Sequence, residues 1–308
     1  MFNFFKKIFG SRLFKLFGST VLMYLAFRKV DLTTLADLLL KVPWWFWVAM
    51  LAYQIVLVII GAYRWSLLLF DKPGVDEVKN FTRASMLGSF YGLLFPTMVA
   101  SDLLKWLSIL KKYPEITKTK LLSSVFLDRV VGFTIFIFSA FLASLVALMT
   151  GVAIPWFLVW IFGGLFLGVL VFYFLVFKIN LEKIFDRFPW LKKGGDIVEL
   201  IKNENKSRIY RALGVSLVTE LMWVMQVYFI SEIFGAGFSL LSVLVVVPVV
   251  SMVLLLPISI GGIGARDSMY LVFFGNLGYE PAKILAVSAF SGILGILGSL
   301  INGVANYF

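Results

Sequence analysis

The stretch "LLLPISIGGIGARDSMY", residues 254–270, lies between apolar runs long enough to be membrane helices. Yet it carries Pro257, then Gly261, Gly262 and Gly264, then Arg266 beside Asp267. Hydrocarbon offers no partner to free N–H and C=O groups, so irregular backbone at membrane depth is tolerated only where protein or a watery cavity surrounds it. The glycines and Pro257 therefore mark a non-helical turn set deep, and a helix restarting near Asp267 aims free N–H groups into it. Such groups, a glycine-rich concavity, Ser259 and Arg266 together suit an anion.

The surroundings fix the class. Of the 308 residues, 61% are hydrophobic and 17% aromatic, more than a soluble core of this length needs. Residues 44–63, 130–149, 156–177 and 212–234 read as transmembrane helices. The longest polar stretch, 178–211, is too short and irregular to bury a core of its own. The expectation is an all-α integral membrane protein, one polytopic domain over 1–308. Cysteine and histidine are both missing, which removes disulfides, thiolate nucleophiles, His-bound metals and Ser-His catalysis. No metal or other cofactor is expected, and any proton coupling would run through carboxylates.

The net charge is +11, and its placement orients the chain. Lys and Arg gather on the cytoplasmic side of membrane proteins. Residues 105–120 are rich in Lys and the basic loop 178–211 in Lys and Arg, whereas the links near 150–155 and 235–240 carry no charge. The first pair is placed inside and the second outside, with the N-terminus cytoplasmic. The basic, Phe-rich opening "MFNFFKKIFGSRLFKLFG" reads as an interfacial anchor leading into a first spanning helix. This placement accounts for the basic balance, so no nucleic acid is invoked. The Trp44, Trp45 and Trp47 cluster belongs to the interfacial belt, and Arg64-Trp65 reads as an anchor at the end of the second helix.

Parity then sets the architecture. The segments before residue 83 and after residue 105 are both inside, and the apolar stretch between them holds about half the roughly 40 residues that two crossings need. A re-entrant hairpin over 84–104, turning near Pro96, resolves the conflict. The same count makes 240–278 a second re-entrant hairpin, entering from outside and turning at Pro257. About six spanning helices remain. The tips read "LLFPTMVASDLL" and "LLLPISIGGIGARD": Leu-Leu-x-Pro, small residues, then an acid beside a base. Two similar broken elements entering from opposite faces are the signature of an inverted-repeat transporter. If the tips meet, Asp102 with Lys105 and Asp267 with Arg266 form one small polar site, each acid neutralising its base. Ser101, on the first tip, joins the candidate substrate-binding residues.

Three further charges stand at or near membrane depth, where ionisable residues are costly. Asp128-Arg129 reads either as an interface salt bridge or as part of the site. Glu220 reads as the partner of a base or as a proton site. Arg266–Asp267 itself reads as an anion site or as a structural pair.

These residues carry a resemblance. The pieces "YRWSLLL" (63–69), "GSFYGLLFPTMVASDLLKW" (88–106), "SSVFLDRVVG" (123–132) and "LPISIGGIGARDSMYLVFFGNLGY" (256–279) are similar, in order, to the transmembrane region of lysylphosphatidylglycerol synthase, the flippase-like domain family. The last piece follows the family's Pro-x-Ser-x-Gly-Gly-x-Gly-x-Arg-Glu, with Asp267 in place of Glu. The first hairpin departs further: Ala100, Ser101 and Asp102 stand where Gly-Gly-Asp is usual, and Lys105 where Arg is, so a bidentate clamp becomes a point charge. The resemblance implies movement of lipids or lipid-linked molecules between leaflets of the cell membrane, here as a membrane part without the synthase's aminoacyl-transfer domain.

The leading expectation is thus a flippase or scramblase for an anionic phospholipid or a polyprenyl-phosphate-linked lipid, with its headgroup phosphate between the hairpin tips near Arg266, Arg129 and Lys105. It is not expected to be an enzyme. "GIGARD" misses the Gly-x-Gly-Asp spacing of intramembrane aspartyl proteases. A non-transporting partner of a lipid-modifying or glycosyl transferase is the alternative, and an oligomer is compatible with either.

Overall fold

The computed structural model describes residues 32–94, 98–151, 155–178, 206–254 and 264–305. Among them the chain is helical, without strands. The helices are α1 (Leu32–Leu40), α2 (Trp44–Leu67), α3 (Val75–Leu94), α4 (Met98–Lys112) and α5 (Lys118–Thr150). They continue with α6 (Trp156–Lys178), α7 (Lys206–Ile233), α8 (Leu240–Leu254), α9 (Ala265–Asn276) and α10 (Pro281–Val304). Local chemistry sets their ends. Pro43 precedes α2 in an extended conformation. Thr117 caps α5 by accepting the Lys120 N–H, and Gly151 ends that helix at φ 71°. Pro281 opens α10, where its missing N–H costs no helical bond.

Five helices, α2, α5, α6, α7 and α10, are long and apolar enough to cross a membrane. At ~1.5 Å per residue, even the 21 apolar residues of α6 exceed the ~30 Å hydrocarbon thickness. The protein is therefore a multi-pass membrane protein. The sixth expected span falls in residues 1–31, outside the described residues, as does most of the loop 178–211.

The shorter helices pair off. Helices α3 and α4 run antiparallel on either side of residues 95–97. Asn80 Nδ2 donates to the Tyr113 hydroxyl at 3.0 Å, and Ser101 Oγ donates to the Gly88 carbonyl at 2.7 Å. The Lys105 stem lies so close over Gly88 that a Cβ there would sit 2.6 Å from its Cγ. Both ends of the pair thus lie together. The pair is longer than the expected 84–104, because Asp76 and Glu77 favour a helix start, and Lys111 and Lys112 a helix end, through the backbone dipole. Helices α8 and α9 pair likewise. Phe238 stacks on Phe274 at 3.9 Å, and the Tyr279 hydroxyl accepts the Ser239 N–H at 2.9 Å. The expected turn residues Pro96, Pro257, Ser259, Gly261 and Gly262 lie outside the described residues.

The two pairs open toward opposite ends of α2. Phe81 and Tyr113, at the open end of α3–α4, reach Trp65 and Phe70 at its C-terminal end. Phe234 and Phe238 share a core with Phe46, at its N-terminal end, where both Phe46 and Phe234 meet Phe290 of α10. Helix α10 runs parallel to α2. Its glycines admit neighbours: a Cβ at Gly298 would collide with Gln54, and one at Gly303 with the Phe90 ring. The basic links share one end, where Arg208 at the start of α7 pairs with Asp71 after α2 at 2.6 Å.

This arrangement fixes an accessibility pattern. Because the chain has no cysteine, single Asn80→Cys and Lys112→Cys variants are expected to react with a membrane-impermeant maleimide from the same side of oriented vesicles, and Ser239→Cys from the other. Opposite-side labelling of the first two would contradict the antiparallel α3–α4 pair.

Candidate functional site

Successive residues on a helix point about 100° apart, since a turn takes ~3.6 residues. Asp128 and Arg129 of α5 therefore face different neighbours. Asp128 meets Arg64, in the last turn of α2, through two bonds: Nε to Oδ1 at 2.7 Å and Nη2 to Oδ2 at 2.9 Å. The remaining Arg64 nitrogen, Nη1, donates to Ser216 Oγ on α7 at 3.0 Å. Arg129 faces α4 and grips Asp102 the same way, at 2.6 and 3.1 Å. Lys105, one turn beyond Asp102, brings Nζ to within 3.7 Å of the same carboxylate.

These five charges line one cavity of about 210 Å³, closed by α2 on one side and by Ser85 and Ser89 of α3 on another. Three cations against two carboxylates leave a formal excess of one positive charge (3 − 2 = +1). All five side chains are only partly exposed, between 16% and 38%. Guanidinium forks that hold carboxylates bidentately fit phosphate oxygens equally well. Lys105 is the loosest of the three cations, at 3.7 Å from the Asp102 carboxylate, and as a flexible point charge it can follow a moving anion.

The structure brings together Asp102, Lys105, Asp128 and Arg129 from the sequence-level candidates. Of the other candidates, it places those among the described residues elsewhere. Ser101 holds the α3–α4 pair through Gly88. Glu220 is buried on α7, where Ser139 Oγ donates to Oε1 at 3.4 Å and Oε2 has no hydrogen-bond partner among the described residues. Arg266 and Asp267 do not line the cavity. Gly264, at φ 78°, starts α9, and Asp267 Oδ2 accepts its N–H at 3.0 Å. Asp267 Oδ1 accepts the Ser288 hydroxyl of α10 at 2.6 Å. The Arg266 guanidinium lies against α10, 3.0 Å from where a Gly292 Cβ would sit.

Three expectations change accordingly. Asp102 does meet Lys105, but its closer partner is Arg129, because an i, i+3 lysine cannot offer the aligned fork that α5 supplies from across the interface. Asp267 spends its oxygens on a helix start and on α10, so the four tip charges do not form a single cluster with the cavity. Arg64, read from sequence as an interfacial anchor, is instead a central member of the site. Its signal was the arginine placed a few residues inside the apolar end of a long helix, with an acid available at Asp128.

Residues 12–303 match the family model described as the lysylphosphatidylglycerol synthase TM region. No curated protein and no solved structure gives a significant match.

The Arg64–Asp128 pair makes a stability prediction. Removing one partner of a shielded pair leaves an uncompensated charge, whereas removing both leaves hydrocarbon. Asp128→Leu and Arg64→Met are each expected to cost about 2–4 kcal/mol, and the double variant is expected to recover most of that. Thermal unfolding in detergent reads this out as two lowered midpoints and one near native.

Proposed function

The chain belongs to the family of the lysylphosphatidylglycerol synthase transmembrane region, and from that premise we propose that it moves an anionic lipid between the leaflets of the cell membrane. The observation that carries the reading is the partly shielded cavity where Arg64, Lys105 and Arg129 outnumber Asp102 and Asp128. The substrate is a phospholipid or a lipid-linked phosphate whose headgroup occupies this cavity while its chains stay in hydrocarbon. In this reading α3–α4 and α8–α9 are re-entrant hairpins of an inverted repeat, the basic end faces the cytoplasm, and the lipid leaves chemically unchanged.

The exchange is electrostatic. With no lipid bound, each carboxylate compensates a cation and lowers the cost of holding it away from water. An arriving phosphate competes with Asp102 for Arg129 and Lys105. Binding then loosens the tie between α4 and α5 and frees the hairpin to shift. The antiparallel α3–α4 pair and its opposite partner α8–α9 supply two elements that can open in turn toward the two faces.

Lys105→Gln tests the reading with the fold retained, because Arg129 still compensates Asp102. A hydrogen bond to a charged group contributes ~1.5–3 kcal/mol, and ~1.4 kcal/mol is tenfold. Transport of fluorescent phosphatidylglycerol by purified protein in vesicles is expected to fall about tenfold or more, and transport of phosphatidylcholine to fall less. Equal rates for native protein and variant would remove the cavity from the mechanism. A chemically altered lipid would point to catalysis instead, and a purified chain that moves no lipid would favour a non-transporting partner.

A further inference from the structure

A lipid headgroup needs a way into the cationic cavity that does not drag its chains through protein. Two features outside the ion pairs lie on one seam between α2 and α3. The first is an apolar surface groove of about 480 Å³ between Ile59 of α2 and Val75, Val78 and Thr82 of α3, with Lys79 and Arg83 at its rim. The second is the side of the cationic cavity formed by Gly61 and Ala62 of α2 with Ser85 and Ser89 of α3. The α3 residues join them. Val78, Thr82, Ser85 and Ser89 are spaced i, i+4, i+7 and i+11, which is one stripe along a helix. Along it the side chains change from apolar to hydroxyl as the groove gives way to the cavity.

We propose that the α2–α3 seam is the lateral gate of the protein, in which a lipid phosphate travels from Lys79 and Arg83 along the hydroxyls of Thr82, Ser85 and Ser89 to Arg129 and Lys105 while its acyl chains remain in the bilayer. This rests on the lipid-transport reading and specifies the route and the ligand: a phosphate headgroup bearing long hydrocarbon chains. Three observations support it. Ile59 and Tyr63 of α2 are exposed beside the groove, as an opening to hydrocarbon requires. The two rim cations complement an anionic headgroup at the basic end of the molecule. The seam is also unfilled at Gly61, where a Cβ would meet nothing within 4 Å. Thr82 Oγ1 and Ser89 Oγ donate to the carbonyls of Val78 and Met86, and Ser89 Oγ also accepts from Asn302 Nδ2, so each hydroxyl meets a passing phosphate by turning its hydrogen away from its own helix or through a bridging water. A polar track of this kind lowers the barrier to sliding without holding the headgroup tightly.

The space at Gly61 allows a plug that does not disturb the fold. Gly61→Leu fills the seam with hydrocarbon and replaces a helix-weakening glycine, so it is expected to melt no lower than the native protein. Gly168→Leu, on α6 with equally open space, is the control. In phosphatidylcholine vesicles doped with headgroup-labelled phosphatidylglycerol, Gly61→Leu is expected to slow transport at least tenfold and Gly168→Leu to leave it unchanged. Native rates for Gly61→Leu would overturn the gate and leave the transport reading standing. A second measurement does not depend on transport. Ser85→Cys carrying a benzophenone maleimide is expected, on irradiation in the same vesicles, to capture phosphatidylglycerol above its share of the bilayer, and Gly168→Cys in proportion to that share. Excess inorganic phosphate present during irradiation is expected not to reduce this capture. Capture at Ser85→Cys in proportion to bulk composition, or its suppression by free phosphate present during irradiation, would overturn the proposal even if the protein moves lipid by another path.

Discussion

A charge held away from water needs a counter-charge within a few ångströms, and the adjacent Asp128 and Arg129 of α5 organise this molecule around that requirement. A lone ion in hydrocarbon costs several kcal/mol, whereas a paired and hydrogen-bonded one costs far less. Because the two residues diverge around the helix, α5 is tied to α2 through Arg64 and to α4 through Asp102. Ser216 extends the first tie to α7. Four helices distant in sequence thereby acquire a fixed rotation and height relative to one another. Apolar packing alone specifies this poorly in a membrane, where a lipid tail competes with any leucine.

The second constraint is the backbone. Helices α4, α8 and α9 are too short to cross the bilayer, so any end they place at membrane depth needs protein around it. Close approach provides it. Glycines at 298 and 303 let α10 press against α2 and α3, and Gly88 lets the Lys105 stem cross the α3–α4 interface. On the other pair, Asp267 serves as the acceptor for the Gly264 N–H that opens α9 and anchors that start to α10 through Ser288. A carboxylate used in this way fixes where the helix begins, which is a condition for any function of the neighbouring glycine-rich segment.

Much of this was legible in the sequence. Apolar runs located the spanning helices among the described residues, although α5 starts at Lys118, well before the apolar run 130–149, and loop charges with a parity count singled out the two helical pairs. Reading the site was harder, for identifiable reasons. Arg64 sits between Tyr63 and Trp65 near a helix end, a context that local rules assign to the interface, and only the tertiary meeting with Asp128 overrides it. Lys105 was paired with Asp102 because they share a helix turn, but the stronger partner comes from 27 residues away, which spacing cannot reveal. The Gly264-x-x-Asp267 pattern did contain its outcome. An acid three residues into a helix commonly closes a capping box, yet its position beside Arg266 drew the reading toward a ligand site.

The two ties on α5 are unequal, and the inequality gives a direction to movement. Arg64 uses both carboxylate-facing nitrogens on Asp128 and its third on Ser216, with side-chain exposures of 16% and 20% in the pair. Arg129 grips Asp102, is 38% exposed, and competes with Lys105 for that carboxylate. An anion entering the cavity therefore meets one saturated pair and one unsaturated pair. At the unsaturated pair, the phosphate replaces an interaction that Lys105 and solvent already share, so the exchange is the less costly one. In the transport reading, Asp102 then parts from Arg129 while Asp128 keeps Arg64. Helices α2, α5 and α7 remain a single frame, and the α3–α4 pair becomes the element able to move against it. In the transport reading, the asymmetry between the two pairs is thus what turns recognition of a headgroup into displacement of a hairpin.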